Sequence, residues 1–235
     1  MANIADRLTI QIDLSGFSFK ITGPSGEKLS AGAKSFPSGV TSASDLETFL
    51  KKELSSLSVL SKKYSQTDVI VSTPKFTLVP TSLYKKDDEK KILSLIHKIE
   101  ELDEVMSIEL PEHEATLIYA VPNAITSRIF KIQKKAKYFP IIHSMIKAMS
   151  QNNDNNKVCI HLSKNHIHIV ATEREKLLLA NSYPAKDFVT AQYYIFLVIK
   201  EVMFNPEFTT LQVMGDITKS EKKDLSKYFK GINII

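Results

Sequence analysis

A chain of 235 residues with 43% hydrophobic content can hold one large domain or two small ones, with enough apolar material for a core. Its formal charge of +5, from 31 Lys and Arg against 26 Asp and Glu, is a mild excess spread along the chain and carries no more than a weak pointer to an acidic partner. No run approaches the roughly 18 apolar residues of a membrane span, MANIADRLTI lacks the basic-then-apolar order of a signal peptide, and the single cysteine, Cys159, excludes an internal disulfide or a multi-thiolate metal site; the chain reads as cytoplasmic, without redox chemistry.

Residues 8–14 (LTIQIDL) and 17–22 (FSFKIT) alternate apolar and polar around Ser15-Gly16, and 28–36 follows the Pro24-Ser25-Gly26 break, which predicts three strands in a meander. Ser44 stands three residues before Glu47, a capping-box spacing. Behind it Leu46, Phe49, Leu50, Leu54, Leu57 and Leu60 recur at helical intervals, so an amphipathic helix covers the sheet. A strand at 68–72, an apolar run at 76–79, a helix through Ile92, Leu95, Ile96 and Ile99, and a hairpin from 105–110 and 115–121 come next. The pattern continues with a helix carrying Ile125, Ile129 and Ile132, a short strand near Tyr138 to His143, and a helix carrying Met145, Ile146 and Met149. SQNNDNN at 150–156 interrupts the chain with turn-forming residues, dividing it into 1–150, with an inserted hairpin and a connecting helix, and 151–235.

Beyond the break the opening pattern returns. VCIHLS at 158–163, HIHIVA at 166–171 and KLLLANSYP at 176–184 repeat the three strands. With Ile12 set against Ile160, seven of eighteen positions through Leu29 and Leu177 are identical. A helix with Phe188, Tyr194, Leu197, Val198 and Val202, a strand at 210–214, a helix at 219–229 and a short GINII complete a second β-β-β-α-β-α series.

That doubled order of elements resembles the actin, sugar-kinase and Hsp70 superfamily of duplicated ribonuclease-H-like folds. The likeness is strongest to its cell-division and pilus-assembly branches, and in particular to a family of unknown function from Bacteroidetes-type bacteria. The resemblance implies an α/β chain of two ribonuclease-H-like lobes, the actin-like ATPase fold, with mixed sheets flanked by helices, an internal duplication and a cleft between the lobes.

In that superfamily the first hairpin of each half holds a phosphate-binding loop with an acid on its first strand and small residues in the turn. Asp13-Leu14-Ser15-Gly16 resembles the first of these, an acid for a metal-bound water and a glycine turn exposing amides to phosphate oxygens. A surface ion pair with Lys20, placed opposite if Gly16-Phe17 is a two-residue turn, accounts for Asp13 equally well. In the gapless alignment the second loop has His161 where the first has Asp13, and Lys164 where the first has Gly16, so the clamp is half missing. The superfamily's Gly pair for adenosine is matched at Val213-Met214-Gly215-Asp216 by one glycine and a carboxylate. A nucleotide site, if retained, uses Asp13, Ser15, Gly16 and Gly215 with Mg-ATP.

His161, His166 and His168 share one face of the second hairpin, with His161 across from His168. Three imidazoles suit zinc, but both hairpins present a polar face here, and no metal is assigned. A ribonuclease H reading would need several converging carboxylates, and Asp45, Glu47 and Asp68 follow Asp13 at no diagnostic spacing. The densest lysine run, 131–138, offers Lys134, Lys135 and Lys137 beside Tyr138 for phosphate backbones, although such runs are commonly solvated helix faces. The reading that results is a protein of unknown function without catalytic residues: a scaffold that binds another cytoplasmic protein through a fold whose nucleotide site has decayed. A divergent ATP-binding protein and a nucleic-acid binder are the alternatives.

Overall fold

A computed structural model describes residues 6–36, 40 and 43–235, leaving aside the side chains of residues 43 and 44. The capping box expected at Ser44 therefore lies outside the described side chains. The chain divides into two compact units. One comprises Met1–Phe76, Tyr84–Ile108 and Ile118–Ile141, and the other Thr77–Leu83, Glu109–Leu117 and Ile142–Ile235. No helix among the described residues is long and apolar enough to cross a membrane.

The first unit is built on the predicted meander, β1 (Arg7–Ile12), β2 (Gly16–Thr22) and β3 (Lys28–Ser35), extended by β4 (Gln66–Val71) and β8 (Lys137–Pro140) in the order β3-β2-β1-β4-β8. The meander pairs are antiparallel, and β4 runs parallel to both β1 and β8. Period-two alternation puts Leu8, Ile10, Ile12, Phe17, Phe19 and Ile21 on one face, and all six are buried. Helices α1 (Ala43–Ser56) and α3 (Asn123–Ile132) contact each other and bury Leu46, Leu50 and Leu54 from one and Ile125 and Ile129 from the other. Arg128 of α3 reaches Glu47 of α1 at 2.6 Å. Phe36 stacks on Phe49 of α1 and tilts against Phe17 of β2, joining the meander to the helix.

Three strands, β5 (Phe76–Pro80), β6 (Asp103–Leu110) and β7 (Ala115–Pro122), form a separate sheet in the order β5-β7-β6 and include the inserted hairpin. The helix expected through Ile99 is shorter: α2 spans Glu89–Ser94. Its apolar spacing is only partly covered: Leu93 is buried and Ile92 and Ile99 are half-buried, while Leu95 and Ile96 are 79% and 60% exposed. The chain turns at Leu95, and His97 Nε2 holds the carbonyl of Phe76 at 3.0 Å. The short strand expected to run to His143 ends at Pro140, and His143 lies in α4 (Ile141–Ser150).

The second unit repeats the sheet. β9 (Asn156–Leu162), β10 (His166–Glu173), β11 (Lys176–Pro184), β12 (Thr209–Val213) and β13 (Gly231–Ile234) take the order β11-β10-β9-β12-β13, with the same antiparallel and parallel pairings. Even the irregularity recurs, since the pairing slips between Ile21 and Thr22 in one meander and between Ala171 and Thr172 in the other. One face of this sheet, Val158, Ile160, Ile167, Ile169, Leu211 and Val213, packs with Ala191, Ile195, Val198 and Ile199 of α5 (Phe188–Glu201) and Leu225 of α6 (Lys219–Leu225). α5 begins at an Asp187 cap, and α6 at a Thr218/Glu221 capping box.

The opposite faces differ. In the first unit Thr9, Gln11, Ser18, Lys20, Ala31 and Ala33 line an open concavity of about 520 Å³. In the second, Cys159, His161, His168 and Gln212 are as buried as the core. His161 and His168 are register partners with rings stacked 5.8 Å apart, as the strand pattern predicts. Burial, and then the neighbouring imidazoles of His161 and His166, hold His168 well below the usual histidine range. Burial likewise pushes the Cys159 thiol up to about 12.

Gln133 is the polar tie of the first unit: its Nε2 donates to the carbonyls of Leu60 and Lys62 at 2.6 and 2.8 Å, and its Oε1 accepts from Thr67 Oγ1 at 3.2 Å. Gln133→Leu should lower stability in urea by about 2 kcal/mol, because both carbonyls lose their donor, and an unchanged midpoint would show that solvent replaces it. His168 gives a pH signature. Its folded pKa is depressed, so below about pH 6.5 the unfolded chain takes up a proton that the folded chain refuses, and stability falls with acidity by up to roughly 1.4 kcal/mol per pH unit. His168→Asn should flatten that slope in urea titrations between about pH 6.5 and 5; a slope equally steep in the variant contradicts this origin.

Candidate functional site

The hairpin loops are where the sequence locates chemistry. In the first, Ile12 pairs with Phe17, and Asp13 N–H donates to the Gly16 carbonyl at 3.0 Å, closing the four-residue loop Asp13-Leu14-Ser15-Gly16. Lys20 pairs with Thr9 rather than Asp13, so the expected ion pair does not form: the loop has four residues where the ion pair assumed two.

Asp13 turns its carboxylate inward. Its Oδ1 accepts from Ser15 N–H at 2.6 Å, Ser15 Oγ at 2.5 Å and Gly16 N–H at 3.0 Å. Successive amides converging on one oxygen make an anion site, and here the chain's own carboxylate occupies it. Ser15 contributes its carbonyl to Phe36 N–H at 2.7 Å, which closes the loop against the end of β3. Gly16 is required by the sheet itself, because a Cβ there would stand 2.2 Å from the Lys34 carbonyl oxygen.

The second loop has the same backbone. Leu162 pairs with Ile167, Ser163 N–H donates to the His166 carbonyl at 2.9 Å, and Ala185 N–H donates to the Asn165 carbonyl at 2.9 Å. These bonds match those of the first loop and put Ser163 at the place of Asp13 and His166 at that of Gly16. The gapless alignment, which paired His161 with Asp13 and Lys164 with Gly16, is two residues out of step. Across 12–22 the loop register leaves Thr22 and Thr172 as the sole identical pair. Ser163 Oγ donates to the His166 carbonyl at 3.0 Å. Beside this loop a pocket of about 210 Å³ is lined by Ser163, Lys186 and the carboxylates of Asp187 and Glu221. Both carboxylates already serve helix caps, Asp187 accepting from Thr190 N–H at 2.7 Å and Glu221 from Thr218 N–H at 2.8 Å.

The structure brings together two residues that the sequence treats separately. His161 Nδ1 lies 2.9 Å from the Met214 carbonyl, immediately before Gly215. Gly215 adopts a φ of +96°, the reason a glycine stands there, and its N–H donates to the Ile235 carbonyl at 3.2 Å. The loop-side amide of this motif is thus committed to the Ile235 carbonyl.

Lys134 and Lys135 form the exposed turn after α3, and Lys137 starts β8, so this basic run is not a helix face. Tyr138 is half-buried, and its hydroxyl donates to the Thr126 carbonyl at 3.3 Å. Among the described residues no group of three or more His, Cys, Asp or Glu side chains is placed to hold a metal ion.

No curated protein matches the chain in sequence. Among solved structures it is similar to a Bacteroides thetaiotaomicron protein with actin-like ATPase fold and unknown function, 22% identical, covering 100% of this chain and 94% of that one with a TM-score of 0.83. It is also similar to a chain of a PilM–PilN type IV pilus biogenesis complex, 11% identical, covering 99% and 89%, TM-score 0.58. The ethanolamine utilization protein EutJ from Carboxydothermus hydrogenoformans is 10% identical, covering 99% and 85%, TM-score 0.54. The repeated sheets and these likenesses establish the actin-like ATPase fold, and the profile of one family spans nearly the whole sequence, residues 4–232: the chain belongs to the family described as protein of unknown function, DUF3822.

Proposed function

We propose that this protein is a non-catalytic, internally duplicated actin-like scaffold that binds another cytoplasmic protein and has lost its nucleotide site. The observation that carries the reading is the Asp13 carboxylate seated on the amides of Ser15 and Gly16. A phosphate would have to displace a tethered anion whose effective concentration no free nucleotide matches. The second loop supports the same reading, with Ser163 in place of an acid and the pocket beside it lined by two carboxylates against one lysine, Lys186, a balance that does not favour phosphate. A protein of the same fold in the PilM–PilN complex has a protein partner, and that supports a binding role for this one.

The competing reading, a divergent ATP-binding protein using Asp13, Ser15, Gly16 and Gly215, makes the opposite forecast in one experiment. A site with a Kd near 10 µM would add roughly 2.7 kcal/mol of stability at about 1 mM Mg-ATP. We expect no thermal shift with Mg-ATP and no nucleotide hydrolysis. Asp13→Ala should instead cost about 1 kcal/mol by stripping the loop amides of their acceptor. Stabilisation by Mg-ATP that disappears in Asp13→Ala would overturn the proposal.

A further inference from the structure

The two meanders end in edge strands of unlike character. β3 is exposed along nearly its whole length and reads Lys-Leu-Ser-Ala-Gly-Ala-Lys-Ser, with the lysines and small polar residues that keep an open edge soluble. β11 occupies the same place in the second sheet, has no strand beside its outer edge among the described residues, and reads Lys-Leu-Leu-Leu-Ala. Leu177, Leu178 and Leu179 are only half-buried. Three consecutive leucines on an open edge invite strand pairing, and β3 shows that this fold does not require them.

That edge borders the largest of the grooves described, an open trough of about 800 Å³ within the second unit. Every residue from Glu175 to Ala180 lines it, alternate faces of β11 alike, so the strand presents its backbone edge to the trough. Leu78, Pro80 and Pro111 contribute apolar lining from outside β11, and Glu112, His113 and Glu114 line the trough beside them. Glu112, Glu114 and Glu175 are exposed, against Lys176 and the half-buried His113 in the lining and Lys157 near Glu175. A chain with a net charge of +5 thus has a rim here whose excess is acidic, carried chiefly by Glu112 and Glu114.

We infer that this trough is a docking site for an extended, basic segment of a partner protein, which adds as a strand to the outer edge of β11. Main-chain hydrogen bonds to residues 176–180 supply the pairing. Alternate apolar side chains pack on Leu78, Pro80, Pro111 and the leucines, and basic side chains between them meet Glu112, Glu114 and Glu175. An acidic segment would meet like charge at three points of the rim. The inference rests on the protein-binding reading and gives it a surface and a partner chemistry.

The test is selection of a phage-displayed library of random linear peptides on the whole protein, followed by hydrogen exchange of the protein with a selected peptide bound. The expected result is enrichment of alternating apolar and basic sequences, slowed exchange at the amides of Leu177–Ala180, and binding weakened about tenfold or more in Glu112→Lys/Glu114→Lys/Glu175→Lys. The three side chains are exposed, and the variant's unchanged urea midpoint verifies that it folds. Enrichment without basic residues, protection elsewhere, binding that survives the charge reversal, or no enrichment would each overturn the inference. Peptides that bind elsewhere would leave the scaffold reading standing, and the Mg-ATP experiment tests that reading without any peptide.

Discussion

The register of an antiparallel hairpin governs the rest of this molecule. In each unit one N–H to C=O bond closes a four-residue loop, Asp13 to Gly16 and Ser163 to His166, and a second ties the loop to the end of the third strand, from Phe36 and from Ala185. Those bonds decide which side chain stands at the loop and which face each strand buries. They also explain why Gly16 is needed, since the Lys34 carbonyl passes where any side chain would begin. A glycine that looks like a phosphate signature is thereby accounted for by sheet packing.

From the same register comes the asymmetry between the units. The face that carries Thr9, Gln11, Ser18 and Lys20 is an open polar surface in one. In the other the corresponding face is buried and holds two stacked imidazoles, a free thiol and Gln212. Buried polar groups of this kind raise the cost of mispairing and of acid, and so make that face sensitive to protonation. The third strands diverge as well, β3 solvated and β11 leucine-rich, on an identical strand order. One topology thus carries two surfaces with different chemistry, and the fold alone does not assign a function.

Much of this was legible in the residues. Alternation at Leu8-Ile10-Ile12 and Val158-Ile160-Leu162 marks the strands, and the His161/His168 pairing follows from the hairpin. The alignment of the repeats was not legible, for a physical reason: a shift of two residues leaves every side chain on its own face, so apolar patterning cannot detect it. Chance identities such as Leu14/Leu162 and Ser15/Ser163 then favour the wrong offset. The inward turn of Asp13 was equally hidden, because an acid two residues before a serine amide reads the same whether it faces a metal or its own backbone. The helix through Ile99 stops at Ser94 because Leu95 and Ile96 have no surface to cover them, which periodicity does not report.

The first loop's anion site is filled by its own carboxylate. A crystal structure of the protein soaked in Mg-ATP tests it most directly. Asp13 Oδ1 should still accept from the Ser15 and Gly16 amides, with no phosphate at the loop. Phosphate oxygens on those amides, with the Asp13 carboxylate rotated out toward a metal ion, would contradict it.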